Sequence, residues 1–283
     1  MIARVMMAPS VAALLVWMIV PLALTLWFSI QNYSLLNPAM KGFVGVANYI
    51  YFLEDPSFLQ ALANTLLLVG GVLLITIIGG TVLALLLDQE MFWQGVIRIL
   101  VISPFFVMPP VAALVWKNMF MNPVYGLFAQ LSQAIGLAPI DWFAQAPLFA
   151  IIVIVAWQWL PFSTLILLTA LQSLSAEQLE AAEMDGANAL RRFIHIILPH
   201  LSRAVTVVVL MLTIFLLAVF AEISVTTGGG PGYASTNIAY LVYHTALLSY
   251  DIGGAAAGGI VAVIIANLVA IFLMRAVGKN LEA

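Results

Sequence analysis

The chain has 283 residues, of which 64% are hydrophobic and only 7% charged, with a mean hydropathy of +1.14. Soluble domains carry roughly 25% charged residues, so this composition excludes a soluble globular protein and indicates an integral membrane one. A net charge of −3 gives no basic footprint for nucleic acid, and the absence of cysteine excludes disulfides and thiolate chemistry.

A membrane-crossing helix needs about 20 apolar residues, so uncharged runs can be counted directly. Six are expected, near Met6–Ser29, Ala61–Leu87, Ile99–Met121, Pro147–Leu171, Ala204–Thr226 and Gly253–Ala276. The first belongs to an uncharged run from Val5 to Met40 that far exceeds the ~7–15 residues of a signal-peptide core, so it is read as a retained span. Lys and Arg in short loops set orientation. With the N-terminus inside, Arg4, Arg98, Arg191, Arg192, Arg203, Arg275 and Lys279 are cytoplasmic, which is seven of the nine basic residues; Lys41 and Lys117 fall outside or near that face. Both termini are then cytoplasmic.

The first outer segment, near 31–60, mixes turn residues (Asn37-Pro38, Lys41-Gly42, Glu54-Asp55-Pro56) with aromatics and reads as a folded loop on the membrane surface. Span two carries Gly70-Gly71 and Gly79-Gly80, which let a neighbouring helix come close. Asp88, Gln89 and Glu90 begin the next cytoplasmic loop. Span three holds Pro104 and Pro109-Pro110, each lacking a backbone donor, so it is expected to be kinked or broken; Lys117 near its outer end snorkels to water. The outer segment near 122–146 is too short for a domain. Span four has Trp157-Gln158-Trp159, Pro161 and Phe162 at mid-depth. Pro161 deprives the Trp157 carbonyl of its helical donor, which places an acceptor beside two indoles and an amide. Such surroundings suit either sugar binding or interhelical packing.

The stretch from Ser175 to Pro199 is the one long, strongly charged segment. Ser175 with Gln178 fits a capping box, and Glu177, Glu180 and Glu183 suit a helix N-terminus. Gly186 ends that helix in a left-handed corner, and a second helix over Asn188–Leu198 is interrupted by Pro199. Leu179, Ala182, Glu183 and Gly186 share one side of the first helix, a small-residue surface for a partner or an ordinary loop hairpin. His195 and His200 flank the proline and His244 lies in another loop, so no metal site is expected.

Span five contains Thr213 and ends at Glu222, a carboxylate that faces either the outer interface or a wet cavity. The outer loop near 227–252 opens with Thr227-Gly228-Gly229-Gly230-Pro231-Gly232-Tyr233, too flexible for regular structure and unlike the G-x-x-x-x-G-K-[ST] phosphate cradle. Ile238, Leu241, Val242, Thr245 and Leu248 then recur at helical spacing with Tyr240 and Tyr243, as in an interfacial helix. Span six opens on Gly253, Gly254, Gly258 and Gly259, a small-residue face for close contact, open to a second subunit.

Glu180, Ala181, Ala182, Gly186, Ile196, Leu198 and Pro199 fit E-A-A-x3-G-x9-I-x-L-P without a departure. The loop resembles the signature loop of ABC importer permeases, and a chance match at seven fixed positions between two spans is remote. The wider pattern is similar to carbohydrate-uptake permeases, most of all those for the sugar alcohols sorbitol and mannitol, including Phe105-Phe106-Val107-Met108-Pro109 and Trp157-Gln158-Trp159-Leu160-Pro161. The resemblance implies an all-α type I importer permease fold in one transmembrane domain over 1–283, set in a bacterial inner membrane. It implies that the cytoplasmic loop 175–200 is the coupling helix, with Glu180, Ala181, Ala182, Asp185, Gly186, Ile196, Leu198 and Pro199 meeting a separate ATPase homodimer that carries the ATP and Mg. This chain would hold no cofactor itself. It further implies a second, related permease and a periplasmic solute-binding protein, which faces Gly228, Gly229, Gly230, Pro231, Gly232 and Tyr233. Gln158, Trp159, Phe162, Thr213 and Glu222 are the candidates for the solute path.

Two rivals fare poorly. An ion-coupled secondary transporter favours an intramembrane carboxylate or an inverted repeat, and Glu222 alone answers to the first. An intramembrane serine hydrolase needs a base in the same buried site, and no histidine lies within a predicted span.

Overall fold

The computed structural model describes residues 2–39, 41–89 and 91–277; Met40, Glu90 and Lys279, named above, lie outside these ranges. Helix α1 (Ile2–Ser29) leads to a short antiparallel pair, β1 (Gln31–Asn32) and β2 (Gly42–Phe43), with Gln31 opposite Phe43. Helices α2 (Ala47–Glu54) and α3 (Pro56–Asp88) follow. Helix α4 (Gln94–Ile102) runs into a 3-10 turn, Ser103–Phe106, and α5 (Pro109–Val115) into a π turn, Trp116–Phe120. Two short helices, α6 (Leu127–Ala134) and α7 (Trp142–Gln145), precede the long α8 (Pro147–Leu171). Next come α9 (Ala176–Met184), α10 (Ala189–Arg192), a π turn over Phe193–Ile197 and α11 (Leu198–Leu216). The described chain ends with α12 (Ala221–Thr226), α13 (Ile238–Tyr243) with its π turn His244–Leu248, and α14 (Ile252–Val277).

Five of these helical runs are long and apolar enough to cross a membrane, and a bent pair reaches the same length and apolarity when its two halves are counted together as a sixth. The bent pair is the expected third span: Gln94–Phe106 and Pro109–Phe120 meet at 106°. A residue before proline is driven out of the helical region, and Val107 and Met108 are both extended. Pro109 then opens α5, where a missing N–H is harmless.

Span ends differ from expectation where local chemistry outweighs hydropathy. Helix α3 starts at Pro56, five residues before the predicted Ala61, because Asp55 caps it: its carboxylate accepts from the Ser57 N–H at 2.7 Å. The fifth span is displaced as a whole. It runs as one 28-residue helix from Ala189 to Leu216, and α12 is a separate element beyond a break at 217–220. Pro199 therefore does not interrupt a helix as predicted. The π turn just before it hands the Leu198 N–H to the Phe193 carbonyl, and Pro199 enters the first turn of α11.

The core is built on α3 against α8, with α11, α12 and α13 closing over them. Leu68, Val72, Ile151, Val155, Leu212, Leu216 and Ile223 are fully buried there. In a bilayer the drive for such packing is van der Waals contact rather than water release, so close approach matters. A Cβ on Gly71 would lie 3.2 Å from Ile152, and one on Gly80 would lie 2.8 Å from the Ser163 hydroxyl. The glycines of span two thus admit α8, as expected. Those of α14 serve a different neighbour. A Cβ on Gly258 would meet the Phe52 ring at 2.4 Å and one on Gly253 the Gln31 carbonyl at 2.3 Å, so these two receive the chain's own first loop, whereas one on Gly259 would meet nothing within 4 Å. Asn48 ties the same loop down by donating to the Ser29 and Gln31 carbonyls, both at 2.9 Å. Helix α1 lies along α14, and residues 9–29 leave their apolar side chains facing outward.

Candidate functional site

The signature hairpin carries the exposed carboxylates Glu177, Glu180, Glu183 and Asp185. Helix α9 ends at Gly186, whose φ of +79° is the left-handed conformation that a side chain disfavours. The Gly186 N–H reaches the Glu183 carbonyl and the Ala187 N–H the Ala182 carbonyl, both at 2.9 Å, which closes the corner in the manner of a Schellman cap. Asn188 then starts the second arm, its side chain accepting from the Arg191 N–H at 2.9 Å. An ion pair between Arg192 and Glu183 clasps the two arms. The predicted capping box does not form: Ser175 makes no side-chain cap, and the Gln178 N–H goes to the Ser175 carbonyl instead.

The face this hairpin presents also differs from expectation. Leu179 and Ala182 are half-buried, and Leu179 looks back into a groove with Leu85, Gln89, Phe193 and Ile197. Of the expected face Glu183 and Gly186 stay exposed, joined by Glu180, Ala181 and Asp185, with Met184 at 89% the most exposed apolar side chain of the hairpin. On the second arm, Ile196 is half-buried while Leu198 and Pro199 are exposed. Residues three or four apart share a face, and the packing of Leu179 onto the groove decides which face is left over.

At mid-depth, Gln158 is buried and donates its amide to the Val107 carbonyl at 3.0 Å, the carbonyl set free by the break in the third span. Its own carbonyl oxygen has no partner among the described residues. Trp159 stacks on Phe215 at 5.0 Å and meets Phe105 edge-on at 5.7 Å, while Phe162 stacks on Phe105 at 6.0 Å. These rings form a half-exposed aromatic cluster across α8, α11 and the 3-10 turn. The two indoles do not converge on the Trp157 carbonyl as predicted: Trp157 turns the other way, onto Trp116 at 5.8 Å, because residues two apart on a helix face apart. Gln158, Trp159 and Phe162 thus share one region. Thr213 is not in it, being buried with its hydroxyl bonded to the Val209 carbonyl, and neither is Glu222, buried on α12 against α5 and α8.

The glycine loop carries no helix or strand, yet it is bound throughout. Gly228, Gly229 and Gly232 all have positive φ. Thr227 and Ser235 join hydroxyls at 2.7 Å, Ser235 also donates to the Gly230 carbonyl, and Thr236 donates to the Gly229 carbonyl at 3.0 Å. A Cβ on Gly229 would sit 2.4 Å from the Thr236 hydroxyl, so nothing larger than glycine fits. Gly228, Pro231, Gly232 and Tyr233 form the exposed rim. The helix after the loop forms as expected, but Ile238 and Leu241 pack on Phe58, Ala61 and Val261 rather than on a membrane surface.

The profile of the family described as "Binding-protein-dependent transport system inner membrane component" matches residues 1–283. This chain belongs to that family. The permease is 35% identical over 253 residues to the trehalose/maltose transport system permease protein MalF of Thermococcus litoralis, covering 88% of this chain and 85% of the relative. It is 33% identical over 247 residues to the probable ABC transporter permease protein y4oQ of Sinorhizobium fredii, covering 87% and 80%. Among solved structures it superposes with a TM-score of 0.80 at 22% identity, over 97% of this chain and 93% of the other, on a chain of a bacterial alginate ABC transporter in complex with an alginate pentasaccharide-bound periplasmic protein.

Sequence reasoning passed over the polar groups that hold the permease's glycine loop. Asn64, buried in α3, donates to the Tyr233 and Thr236 carbonyls at 2.9 and 2.8 Å and accepts from Gln60. The neighbouring Thr65 hydroxyl accepts from the Ile238 N–H at 3.0 Å, and Asn237 donates to the Val219 carbonyl at 2.6 Å. A signal was present: Gln60, Asn64 and Thr65 are amide and hydroxyl side chains at helical spacing where an apolar run begins, and such groups need partners in a membrane.

Proposed function

We propose that this chain is one membrane subunit of a binding-protein-dependent ABC importer for a carbohydrate, forming half of the solute path and coupling it to a separate ATPase homodimer through the hairpin 175–200. The observation that carries the reading is the unbroken signature match at an exposed, rigidly capped corner. Glu180, Ala181, Asp185 and Gly186 form the contact surface at the corner, exposed Leu198 and Pro199 extend it along the second arm, and Ala182 and Ile196 lie half-buried between. The hairpin and both termini face the cytoplasm, where ATP and Mg act on the partner; the loops near 31–60, 122–146 and 227–252 face the periplasm. There the rim of Gly228 to Tyr233 meets the solute-binding protein. A second, related permease supplies the other half of the path.

In this mechanism ATP binding closes the ATPases, the hairpins follow, and the permease pair passes from inward- to outward-facing to accept solute. Aromatic faces suit the C–H surfaces of a sugar, so Trp159 and Phe162 are the stacking candidates in the path, with Phe105 and Phe215 completing the cluster. Gln158 offers an open acceptor beside them. The name of the trehalose/maltose relative favours a disaccharide; the sugar-alcohol reading rests on the two aromatic-proline motifs.

Uptake of labelled sorbitol, mannitol, trehalose and maltose in cells with and without the gene tests the assignment. Uptake of at least one is expected to be lost with the gene and restored by the wild-type chain but not by Gly186→Val. A β-branched residue at φ +79° strains the corner by about 1–2 kcal/mol without touching the core, so membrane insertion is retained. Full uptake by that variant would remove the coupling role.

A further inference from the structure

The outer half of the broken third span is held by directional bonds on two sides. At the break itself, Gln158 donates to the Val107 carbonyl at 3.0 Å and pins the bend to α8. At the outer end, the Lys117 ammonium donates to the Thr226 carbonyl at 2.6 Å and to the Val225 carbonyl at 3.3 Å. These carbonyls close α12. The Thr227 and Gly228 N–H groups both turn back to Ile223, which leaves the last carbonyls of the helix without helical donors. A cation at a helix C-terminus satisfies those acceptors and meets the negative end of the helix dipole. So half-buried Lys117 bonds to protein carbonyls where a contact with water alone was expected.

Thr226 is followed at once by the glycine loop, and that loop is fastened to α3 by Asn64 and Thr65. Lys117 is therefore the polar link between the outer half of the third span and an otherwise closed network of loop and α3. On the inner side of the break, Phe105 meets Trp159 and Phe162 by ring contacts, which tolerate sliding, while the directional bonds of that half, from Gln94 and Arg98 to the Leu87 carbonyl, lie further down α4.

We propose that Lys117 is a positioning residue that locks the outer half of the third span to the glycine loop, so that the two move as one body about a hinge at Val107 and Met108. The proposal rests on the reading of that loop as the face that receives the binding protein. It gives the docking event a mechanical route into the membrane: displacement of the loop is carried by Lys117 to α5 and released at the hinge.

The chain contains no cysteine, so spin-label pairs can be introduced without a background. Asn118 and Tyr233 are exposed on the two parts of the proposed body, and Phe106 is exposed on the far side of the hinge. In the assembled transporter, labels at Asn118→Cys and Tyr233→Cys are expected to give a narrow distance distribution that ATP leaves in place, while the Phe106→Cys to Asn118→Cys distance shifts. Lys117→Met broadens the first distribution and lowers binding-protein-dependent uptake about tenfold, the scale of a charge-assisted hydrogen bond; Lys117→Arg keeps both within about twofold. A distribution as narrow in Lys117→Met as in the wild type overturns the proposal, as does an Asn118 to Tyr233 distance that moves with ATP as much as the one across the hinge. Failure of the importer reading looks different: wild-type uptake then shows no dependence on a binding protein, while the widths in wild type and Lys117→Met still decide the lock.

Discussion

The permease turns two glycine-bearing corners and holds them by opposite means. At the signature hairpin, a Cβ on Gly186 would meet open space, the corner bonds span three to five residues, and the one side-chain clasp is the surface pair of Glu183 and Arg192. At the glycine loop, a Cβ on Gly229 would collide with Thr236 and Tyr240, and the decisive bonds come from Asn64 and Thr65, more than 160 residues away in sequence. The first corner is a local shape displayed outward. The second is part of the core, and only its rim is displayed.

The contrast is broken most severely at Gly229. Gly229→Val adds a branched side chain at φ +86° against two buried neighbours, and a loss of about 3–5 kcal/mol is expected, seen as a collapse of the melting temperature of the purified chain. Asn64→Leu keeps the volume and removes both donors to the loop. Leaving two carbonyls and Gln60 without their partner lowers stability by about 2–3 kcal/mol, measurable as faster proteolysis at the glycine loop while the hairpin is cut at its ordinary rate. The smallest effect belongs to Glu183→Gln, which breaks an exposed pair whose worth is about 0.2–1 kcal/mol and is screened by salt. Its melting temperature is expected to stay within a degree or two of wild type, while uptake falls if the clasp shapes the docking face. A large drop in stability there would mean that the two corners are built alike after all.

How legible each region was in the sequence follows the same division. The hairpin corner was readable because Gly186 and the Asn188 cap act over a few residues, and the break in the third span because Pro109-Pro110 acts on its immediate neighbours. Pro199 misled for the opposite reason. A proline is judged by the helix it would interrupt, and the preceding π turn, which has no sequence signature, removed the need for its donor. The fifth span was placed too late because a count of uncharged residues stops at Arg191, Arg192 and Arg203, whereas one continuous helix runs through all three. The glycine loop looked flexible because its composition carries no record of Asn64, and Gly258 looked available because Phe52 lies in α2, some 200 positions earlier. The solute-path candidates suffered the same limit: a shared span united Gln158, Trp159 and Phe162, whereas Thr213 and Glu222 depended on how helices rotate against one another.

The continuity of the helix from Ala189 to Leu216 has a geometric consequence. At 1.5 Å per residue, its 28 residues make a rod of about 42 Å with no slack segment along it. The exposed corner lies just before one end, and Phe215, stacked on Trp159, lies one residue from the other. A few degrees of tilt applied at the corner thus arrives at the aromatic cluster as a sideways displacement of several ångströms, about the thickness of a ring. A loop at Pro199 would have absorbed that motion as play in a joint; the π turn transmits it.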